Sequence, residues 1–219
     1  PTAANSPGID AHPPIISSIS FTPTSGIKKI GDTITMTINS DGTGYTAGAI
    51  TVNGKAATGF ASGAGNTYTV TYTVASGDTD VADSSTIPIS VILTDAAGNS
   101  SPAFTSSPAA NQSPGIDANA PTAPGLPTSP QGPGISAAEK AAGVHVDVTF
   151  GSTGAVTGDT LRLLLDGANF TTPITQTLTN TNINNHYYNF TVTSANLGAD
   201  GVKSITARVE DQASNTGAE

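Results

Sequence analysis

The chain has 219 residues, a net charge of −9 at pH 7, only 11% charged residues, and no cysteine or tryptophan. The missing cysteines exclude a disulfide scaffold, and the lack of any Lys/Arg cluster excludes nucleic acid as a partner, because phosphates would find no counter-charge. No apolar run approaches the ~20 residues that a membrane-spanning helix needs, so no membrane insertion is expected. A composition dominated by threonine, serine, glycine and asparagine favours short strands and tight turns.

Two sequence patterns occur twice, which predicts a tandem repeat. The segment Thr-Asp-Ala-Ala-Gly-Asn at 94–99 is matched by Glu-Asp-Gln-Ala-Ser-Asn at 210–215. The hexapeptide Ser-Pro-Gly-Ile-Asp-Ala occurs at 6–11 and again, letter for letter, at 113–118. We therefore expect two modules of roughly 100 residues each, which is a common domain size.

The first module shows the alternation of apolar and polar residues that predicts strands with one solvated face. A first strand is expected around Ile15, Ile16 and Ile19. Three further inward-facing rows are predicted: Ile34, Met36 and Ile38; Tyr68, Val70, Tyr72 and Val74; and Ile87, Ile89, Val91 and Leu93. The threonine-rich outer rows indicate antiparallel sheets. Asn53-Gly54 indicates a tight hairpin turn.

Residues 107–134 are rich in proline, serine, alanine and glycine. We expect them to contain the end of the first module, a linker that repeated proline makes stiff, and the first strand of the second module. Residues 135–143 are the one segment with a helical pattern, with Ser136 as N-cap, Glu139 three residues later and Gly143 as the stop.

The second module continues the same alternation. Its predicted inward-facing residues are Val144, Val146, Val148 and Phe150; Tyr188, Phe190 and Val192; and Ile205, Ala207 and Val209. Residues 161–165 (Leu-Arg-Leu-Leu-Leu) are typical of a buried strand that ends at Asp166-Gly167.

These patterns predict an all-β chain of two tandem immunoglobulin-like antiparallel β-sandwiches joined by a short proline-rich linker. We place a linker from a preceding repeat at 1–10, the first sandwich at 11–112, the joining linker at 113–120 and the second sandwich at 121–219. Because the pattern starts and stops midway, we expect the chain to be a fragment of a longer protein.

Two aspartates occupy equivalent positions at the ends of late strands. Asp95 comes two residues after Leu93, and Asp211 comes two residues after Val209, so both continue an inward-facing row. A carboxylate at this rim is costly to desolvate unless a cation or hydrogen-bond donors meet it. Calcium would serve, since it binds about six to eight oxygen ligands. The alternative is a turn in which the Asp and Asn side chains only cap backbone N–H groups.

In an immunoglobulin-like sandwich, the loop after the penultimate strand lies at the same end as the N-terminus. Asp95 is therefore expected to meet Asp10, and Asp211 to meet Asp117. We predict a calcium site between the modules and an equivalent half-site for a preceding module. The predicted junction ligands are Asp117, Asp211, Asn119 or Asn215, and one acidic residue of the first module near Asp32 or in the 75–85 loop. The predicted half-site ligands are Asp10, Asp95 and Asp41.

Several motifs resemble one known family. The turns at 95–99 and 211–215 are similar to an Asp-Ala-Ala-Gly-Asn turn, and 116–121 (Ile-Asp-Ala-Asn-Ala-Pro) is similar to an Asp-Thr-Thr-Ala-Pro boundary. Segments 31–37 and 62–74 resemble one subtype of repeat, and segments 135–139, 158–161 and 199–201 resemble another. The family consists of tandem bacterial immunoglobulin-like repeats in giant RTX-type adhesins, which Gram-negative bacteria export by type I secretion.

This resemblance implies an extracellular stalk on the bacterial cell surface, used in cell adhesion and biofilm formation, with calcium stiffening the module junctions. It supports Asp10, Asp95, Asp117 and Asp211 as ligands. Gln212 and Ser214 depart from the family's usual alanine and glycine, which weakens the case for Asn215. The implied partners are neighbouring repeats of the same chain, and a monomer is expected.

Three other functions stand as alternatives to the stalk. The histidines, which are His12, His145 and His186, are scattered, so neither a zinc site nor a catalytic triad is predicted and no enzyme is expected. Module two could itself bind a glycan or protein through loops at 168–186, and Tyr187 is the one aromatic side chain that alternation places on the outside. The chain could also be an accessory domain of a secreted polysaccharide-active enzyme. Glu139 either caps its own helix or binds calcium.

Overall fold

The computed structural model describes residues 8–219 and shows mostly strands with a few short helices. This confirms the prediction of an all-β fold built from antiparallel sheets. The chain divides between Ala118 and Asn119 into two compact units, here called unit 1 and unit 2. The immunoglobulin-like type and the predicted module boundaries stay predictions. Within residues 8–219, no helix is long and apolar enough to cross a membrane.

Unit 1 has two antiparallel sheets around a common core. Its strands are β1 (Ile16–Thr22), β2 (Ile27–Lys29), β3 (Thr33–Ser40), β4 (Thr46–Val52), β5 (Lys55–Ala56), β6 (Thr58–Ser62), β7 (Thr67–Thr73), β8 (Ile89–Thr94) and β9 (Gly115–Asp117). One sheet has the order β1-β3-β7-β6 and the other β5-β4-β8. All three predicted inward rows of unit 1 are buried. Each fully buried side chain of this kind contributes about 1.5–3 kcal/mol to folding.

The Asn53-Gly54 turn forms as predicted between β4 and β5. Both residues have positive φ, 53° and 73°, which is the geometry of the two-residue hairpin turns that match strand twist. Asn53 is itself buried and donates to the carbonyl of Thr79 at 2.8 Å. The turn is thereby fixed to the loop that follows β7.

Residues 113–118, which the sequence analysis assigns to a linker, pack into unit 1, and we call them the clasp segment. They contain β9, which pairs in parallel with β2 in the register Ile27↔Gly115 to Lys29↔Asp117. Ile116 is 2% exposed and belongs to the core of unit 1. The clasp is therefore a buried strand rather than an exposed spacer.

Unit 2 also has two antiparallel sheets, one of two strands and one of four. They are β10 (Val144–Thr149), β11 (Thr160–Leu165), β12 (Ala168–Asn169), β13 (Thr175–Thr177), β14 (Tyr187–Val192) and β15 (Ile205–Glu210). β10 pairs with β14, while β11 pairs along its length with β15 and at its ends with β12 and β13. The predicted inward rows are buried, except that Tyr188 and Ile205 are only partly buried against the core.

The predicted helix is confirmed as α1 (Ala137–Ala142). Ser136 and Glu139 form a reciprocal capping box, and Gly143 caps the end with a φ of 105°. The expectation that this is the only helical segment is wrong. α2 (Asn180–Asn185) and α3 (Ser194–Leu197) also form, as does a 3₁₀ turn at Ala110–Gln112. α2 begins with a capping box in which asparagine takes the place of glutamate, because its amide oxygen accepts the same backbone N–H.

Candidate functional site

The repeated aspartate turn has a closed hydrogen-bond pattern in unit 1. The Asp95 carboxylate accepts from the Asn99 backbone N–H at 2.8 Å and from its side-chain amide at 2.9 Å. The Asp95 N–H in turn donates to the carbonyl of Asn99 at 3.0 Å. The hydrogen bonds from the Asn99 side chain, and then those from backbone N–H groups, hold the pKa of Asp95 below its ordinary value despite partial burial. Asp95 is therefore a carboxylate at neutral pH.

Unit 2 builds the same turn from different intervening residues. The Asp211 carboxylate accepts from the Asn215 backbone N–H at 2.7 Å and from its side-chain amide at 3.0 Å. The Asp211 N–H donates to the carbonyl of Asn215 at 3.1 Å. Ser214 adopts a positive φ of 69°, so it supplies the conformation that Gly98 supplies in unit 1. The Gln212 and Ser214 departures leave the turn intact, and Asn215 is 3% exposed.

Both aspartates thus do what the turn-capping alternative requires. Capping the turn leaves further acceptor sites on each carboxylate, because its two oxygens carry about four acceptor sites between them. An Asp whose orientation is fixed by a turn is also a preorganised metal ligand. The turn geometry is therefore compatible with both alternatives.

The three predicted half-site residues lie at one end of unit 1, here called the Asp95 end. The side-chain amide of Asn99 donates to the backbone carbonyl of Asp10 at 3.1 Å, so the first described residues meet the turn. Asp41 accepts from the N–H of Ile15 at 3.0 Å and from the hydroxyl of Tyr45 at 3.0 Å, and these bonds, the first above all, lower its pKa. The charges of Asp41 and Asp95 both raise the pKa of Tyr45, after the larger effect of burial.

The other acidic residues of unit 1 lie at its opposite end, here called the Asp32 end, and each has a structural bond. Asp32 accepts from the N–H of Lys29 at 3.1 Å. Asp80 accepts from the N–H of Ala118 at 2.8 Å, and Asp83 from that of Gly26 at 3.0 Å. Asp80 and Asp83 therefore hold the clasp and the start of β2 in place.

Asp78 is the most buried of these acids, at 4% exposed. It accepts from the Tyr72 hydroxyl at 2.7 Å and the Ala75 N–H at 2.9 Å, and pairs with Lys55 at 3.1 Å. Burial favours the neutral acid, but the bonds from Ala75, Tyr72 and Lys55 together hold the pKa of Asp78 below its ordinary value. Burial also raises the pKa of Tyr72 to about 12. We interpret this network as structural.

The predicted junction ligands come from both units. Asp117 lies in β9 of unit 1, and Asn119, Asp211 and Asn215 lie in unit 2. Within residues 8–219, no group of three or more His, Cys, Asp or Glu side chains is placed to hold a metal ion. The junction site therefore stays a prediction.

The structure reveals a candidate residue that sequence reasoning missed. Asp159 is 2% exposed, and one carboxylate oxygen, Oδ2, accepts from the N–H of Val156 at 2.9 Å. The other oxygen, Oδ1, is buried without a hydrogen-bond partner. Burial raises the pKa of Asp159 above its ordinary value, and the charge of Asp211 raises it further, whereas hydrogen bonds from the Val156 N–H and from Gln212 act in the opposite direction. A buried carboxylate oxygen without a donor, beside a second carboxylate, is costly unless a proton or a cation meets it.

The groups around Asp159 suit a hard cation. They are the carboxylate of Asp211 and the side chain of Gln212, whose amide donates to the Thr157 carbonyl at 3.1 Å. Oxygen donors of these types are the ligands that calcium prefers. Two carboxylates and neutral oxygens would leave room for water or a further residue. We call Asp159, Asp211 and Gln212 the Asp159 cluster.

A second polar group lies on the outer face of β10 and β14. The hydroxyl of Tyr187 donates to Asp147 at 2.6 Å, and the side-chain amide of Asn189 donates to the same oxygen. A 3.0 Å hydrogen bond joins His145 to Asn189. Tyr187 is 39% exposed, as alternation predicted, and its hydrogen bond to Asp147 raises its pKa. We call these four residues the Tyr187 patch.

Unit 2 also has a groove of about 950 Å³ between α1, α3 and the 127–133 segment. Its apolar floor includes Val144, Leu197 and Ile205. Lys140 spans one wall, donating to the Gly198 carbonyl and to Asp200, both at 2.7 Å. The groove contains none of the predicted metal ligands.

Comparison with known proteins gives little beyond the structure itself. No protein-family model matches the chain, and no curated protein matches it. Among solved structures, it is similar to a chain from a 1.5-MDa bacterial ice-binding adhesin studied for host cell surface retention, with 22% identity and a TM-score of 0.36. The match covers 93% of this chain and 60% of that one, so the chain spans somewhat less than two thirds of its neighbour's length.

Proposed function

We propose that the chain consists of extender modules of a large bacterial surface adhesin, exported to the cell surface and stiffened by calcium. The observation that carries the proposal is the Asp159 cluster, where a buried carboxylate oxygen without a donor lies beside a second carboxylate. The resemblance of the repeated turns and of the 116–121 boundary to RTX-type adhesin repeats supports the same function. The proposal gives the chain no catalytic role.

Calcium would act here as a cross-link rather than as a reagent. Asp211 is already oriented by its turn, and Asp159 is held by the Val156 N–H, so an ion bound to both would join β15 to the start of β11. We further propose that Asp117, Asn119 and Asn215 contribute to a site at the module junction, and that Asp10, Asp41 and Asp95 form the matching half-site. An ion present at 100 times its Kd stabilises its folded partner by about 2.7 kcal/mol.

Small-angle X-ray scattering in calcium and in EGTA tests the proposal, with Asp117→Ala as the junction variant. We expect the wild type to have a larger maximum dimension and a narrower range of conformations in calcium. Asp117→Ala should resemble the EGTA state in both buffers. Asp200→Ala is the control, because Asp200 is 95% exposed and its ion pair with Lys140 lies at the surface of unit 2. Scattering profiles that coincide under all conditions would refute calcium stiffening.

The Tyr187 patch favours a second candidate function, in which unit 2 binds a neutral glycan. An exposed aromatic ring beside amide, carboxylate and imidazole groups offers an apolar face together with hydrogen-bonding partners for hydroxyls. A glycan array probed with the whole chain and with Tyr187→Ala tests this function. Glycans bound by the wild type but not by Tyr187→Ala would establish binding at the Tyr187 patch. An array to which the wild type binds no glycan would refute this second function.

A further inference from the structure

The clasp segment is tightly integrated into unit 1. Every residue of 113–118 except Asp117 is buried, and Ile116 exchanges backbone hydrogen bonds with Val81 at 2.7 and 2.8 Å. A side chain on Gly115 would come within 2.8 Å of the Asp83 backbone nitrogen, so only glycine fits there without a shift. The Ala118 carbonyl accepts from Gly77 at 3.0 Å. The clasp therefore fills a specific cleft between β2 and the 77–83 loop.

The identical hexapeptide at 6–11 has the opposite environment. Its first two residues lie outside the described part of the chain. Gly8, Ile9, Asp10 and Ala11 are all exposed, and Ile9 is 93% exposed whereas Ile116 is 2% exposed. An added side chain on Gly8 would meet nothing within 4 Å. Residues 8–11 are thus exposed, whereas their counterparts at 115–118 are buried except for Asp117.

Residues 8–11 cannot reach the cleft of their own unit. They lead into β1 at the Asp95 end of unit 1, where Asn99 holds the Asp10 carbonyl. The clasp cleft lies at the Asp32 end, where Asp117 is paired with Lys29. The two ends are separated by β3, whose eight residues span roughly 25 Å at about 3.3 Å per residue. The cleft is also already filled by 113–118.

We propose that residues 8–11 are a clasp for another module of the unit 1 kind, pairing in parallel with the β2 edge of that module. Gly8 would take the tight position beside the 77–83 loop, and Ile9 would fill the pocket that Ile116 fills here. Asp10 would then stand opposite Lys29 of the acceptor, as Asp117 does in unit 1. The mode is addition of a strand to a sheet edge, with one apolar anchor giving specificity.

This proposal involves no metal ion and does not depend on the calcium sites. It predicts that modules interlock, because a strand that precedes one module in the sequence packs into the core of another. The experiment below is run in EGTA, so its failure leaves the calcium proposal untouched, and failure of the calcium proposal leaves this one untouched.

Disulfide trapping between two versions of the full chain tests the proposal. The chain has no cysteine of its own, so each introduced thiol is unique. The donor carries Asp10→Cys, and the acceptor carries Lys29→Cys with Ile116→Ser to loosen its own clasp. Neighbouring strands lie about 4.8 Å apart, within the Cα separation that a disulfide spans. The chain with both Lys29→Cys and Asp117→Cys, which should close an internal disulfide, checks the register.

We expect a covalent donor–acceptor dimer in at least tenfold greater yield than with a donor that also carries Ile9→Ser. Equal yields from the two donors would overturn the proposal, because the anchor side chain would then make no difference. If circular dichroism shows that the Ile116→Ser acceptor is unfolded, Gly115→Ala replaces it, since crowding against Asp83 loosens the clasp while keeping its apolar anchor. With this acceptor too, a higher dimer yield from the donor with Ile9 supports the proposal, and equal yields overturn it.

Discussion

Replacing Asp159 by asparagine should change the stability of unit 2 in opposite directions with and without calcium. In EGTA at pH 7, Asp159→Asn removes a buried charge that lies beside Asp211, while the amide oxygen can still accept from Val156. We expect the variant to be more stable than the wild type, by on the order of 1 kcal/mol. In calcium the variant lacks the ligand oxygen, so it should lose the stabilisation by the ion.

That loss is about 2.7 kcal/mol when calcium is present at 100 times its Kd. For a unit of about a hundred residues, 1 kcal/mol shifts the melting temperature by roughly 4–8 °C. The calcium-dependent rise of the wild type should therefore be about 10–20 °C, and it should vanish in Asp159→Asn. Differential scanning calorimetry of the whole chain measures both shifts, with Asp200→Asn as the control.

The dependence on pH gives an independent check. The folded-state pKa of Asp159 is raised, so its contribution to stability is fully present below the unfolded pKa and is lost as pH rises through the folded pKa. In EGTA the advantage of Asp159→Asn should therefore shrink as pH falls, because protonated Asp159 is neutral like asparagine. A wild type and variant with the same melting temperatures in calcium would refute the assignment of Asp159 as a ligand.

Three further predictions concern folding. Gly115→Ala should destabilise unit 1 by about 1–3 kcal/mol, because its methyl group meets the Asp83 backbone. Gly8→Ala should change the stability by less than about 0.5 kcal/mol, because an added methyl group there meets nothing. Urea unfolding of both variants measures the two changes. Asp78→Ala should lower the free energy of unfolding of unit 1 by about 2–4 kcal/mol, since it leaves buried donors unpaired. The pKa of Asp78 is lowered, so its contribution to stability is lost as pH falls, and the difference in stability between variant and wild type should shrink below the ordinary aspartate range. Unfolding midpoints at pH 7 and pH 3 measure this difference, and a difference that stays constant would count against the prediction. Ser136→Ala should cost about 1 kcal/mol through loss of the capping box, and equal stability of Ser136→Ala and wild type would contradict the structural cap.

Sequence alternation predicted the cores well because each strand is short and has one solvated face. The period of two places Met36, Val70 and Val91 on the inner face, where they are buried. It places Tyr187 on the outer face, where it is exposed. The repeated aspartate turn was equally predictable. Its hydrogen bonds are local, and both alternatives considered from the sequence place Asp and Asn in the same turn.

Burial that depends on distant contacts could not be predicted. The tripeptide Gly-Asp-Thr occurs at 31–33, 77–79 and 158–160. Asp32, Asp78 and Asp159 make the same local bond, each accepting from the N–H three residues earlier. Asp32 stays partly exposed, whereas Asp78 is buried at its ion pair with Lys55 and Asp159 is buried under residues near Asp211, more than fifty positions away. The local turn is encoded in the tripeptide, whereas the absence of a donor for one oxygen depends on what the tertiary fold places over it.

The clasp was missed for a related reason. Its proline and glycine are typical of an exposed linker. Its single isoleucine cannot show the apolar alternation that predicts a strand. The partners that bury it, β2 and the 77–83 loop, lie more than thirty residues upstream in the sequence. An exact repeat of six residues was nevertheless a signal that the segment has a role beyond spacing.

The position of β9 also determines how unit 1 responds to pulling. Tension along the chain enters at the Asp95 end through β1 and leaves at the Asp32 end through β9, which runs parallel to β2 toward that exit. The hydrogen bonds of β9 lie across the direction of the force, so they are loaded together in shear instead of being unzipped one by one. Unit 1 should therefore resist extension without any bound ion. Single-molecule pulling in EGTA should show a lower rupture force for Gly115→Ala than for the wild type.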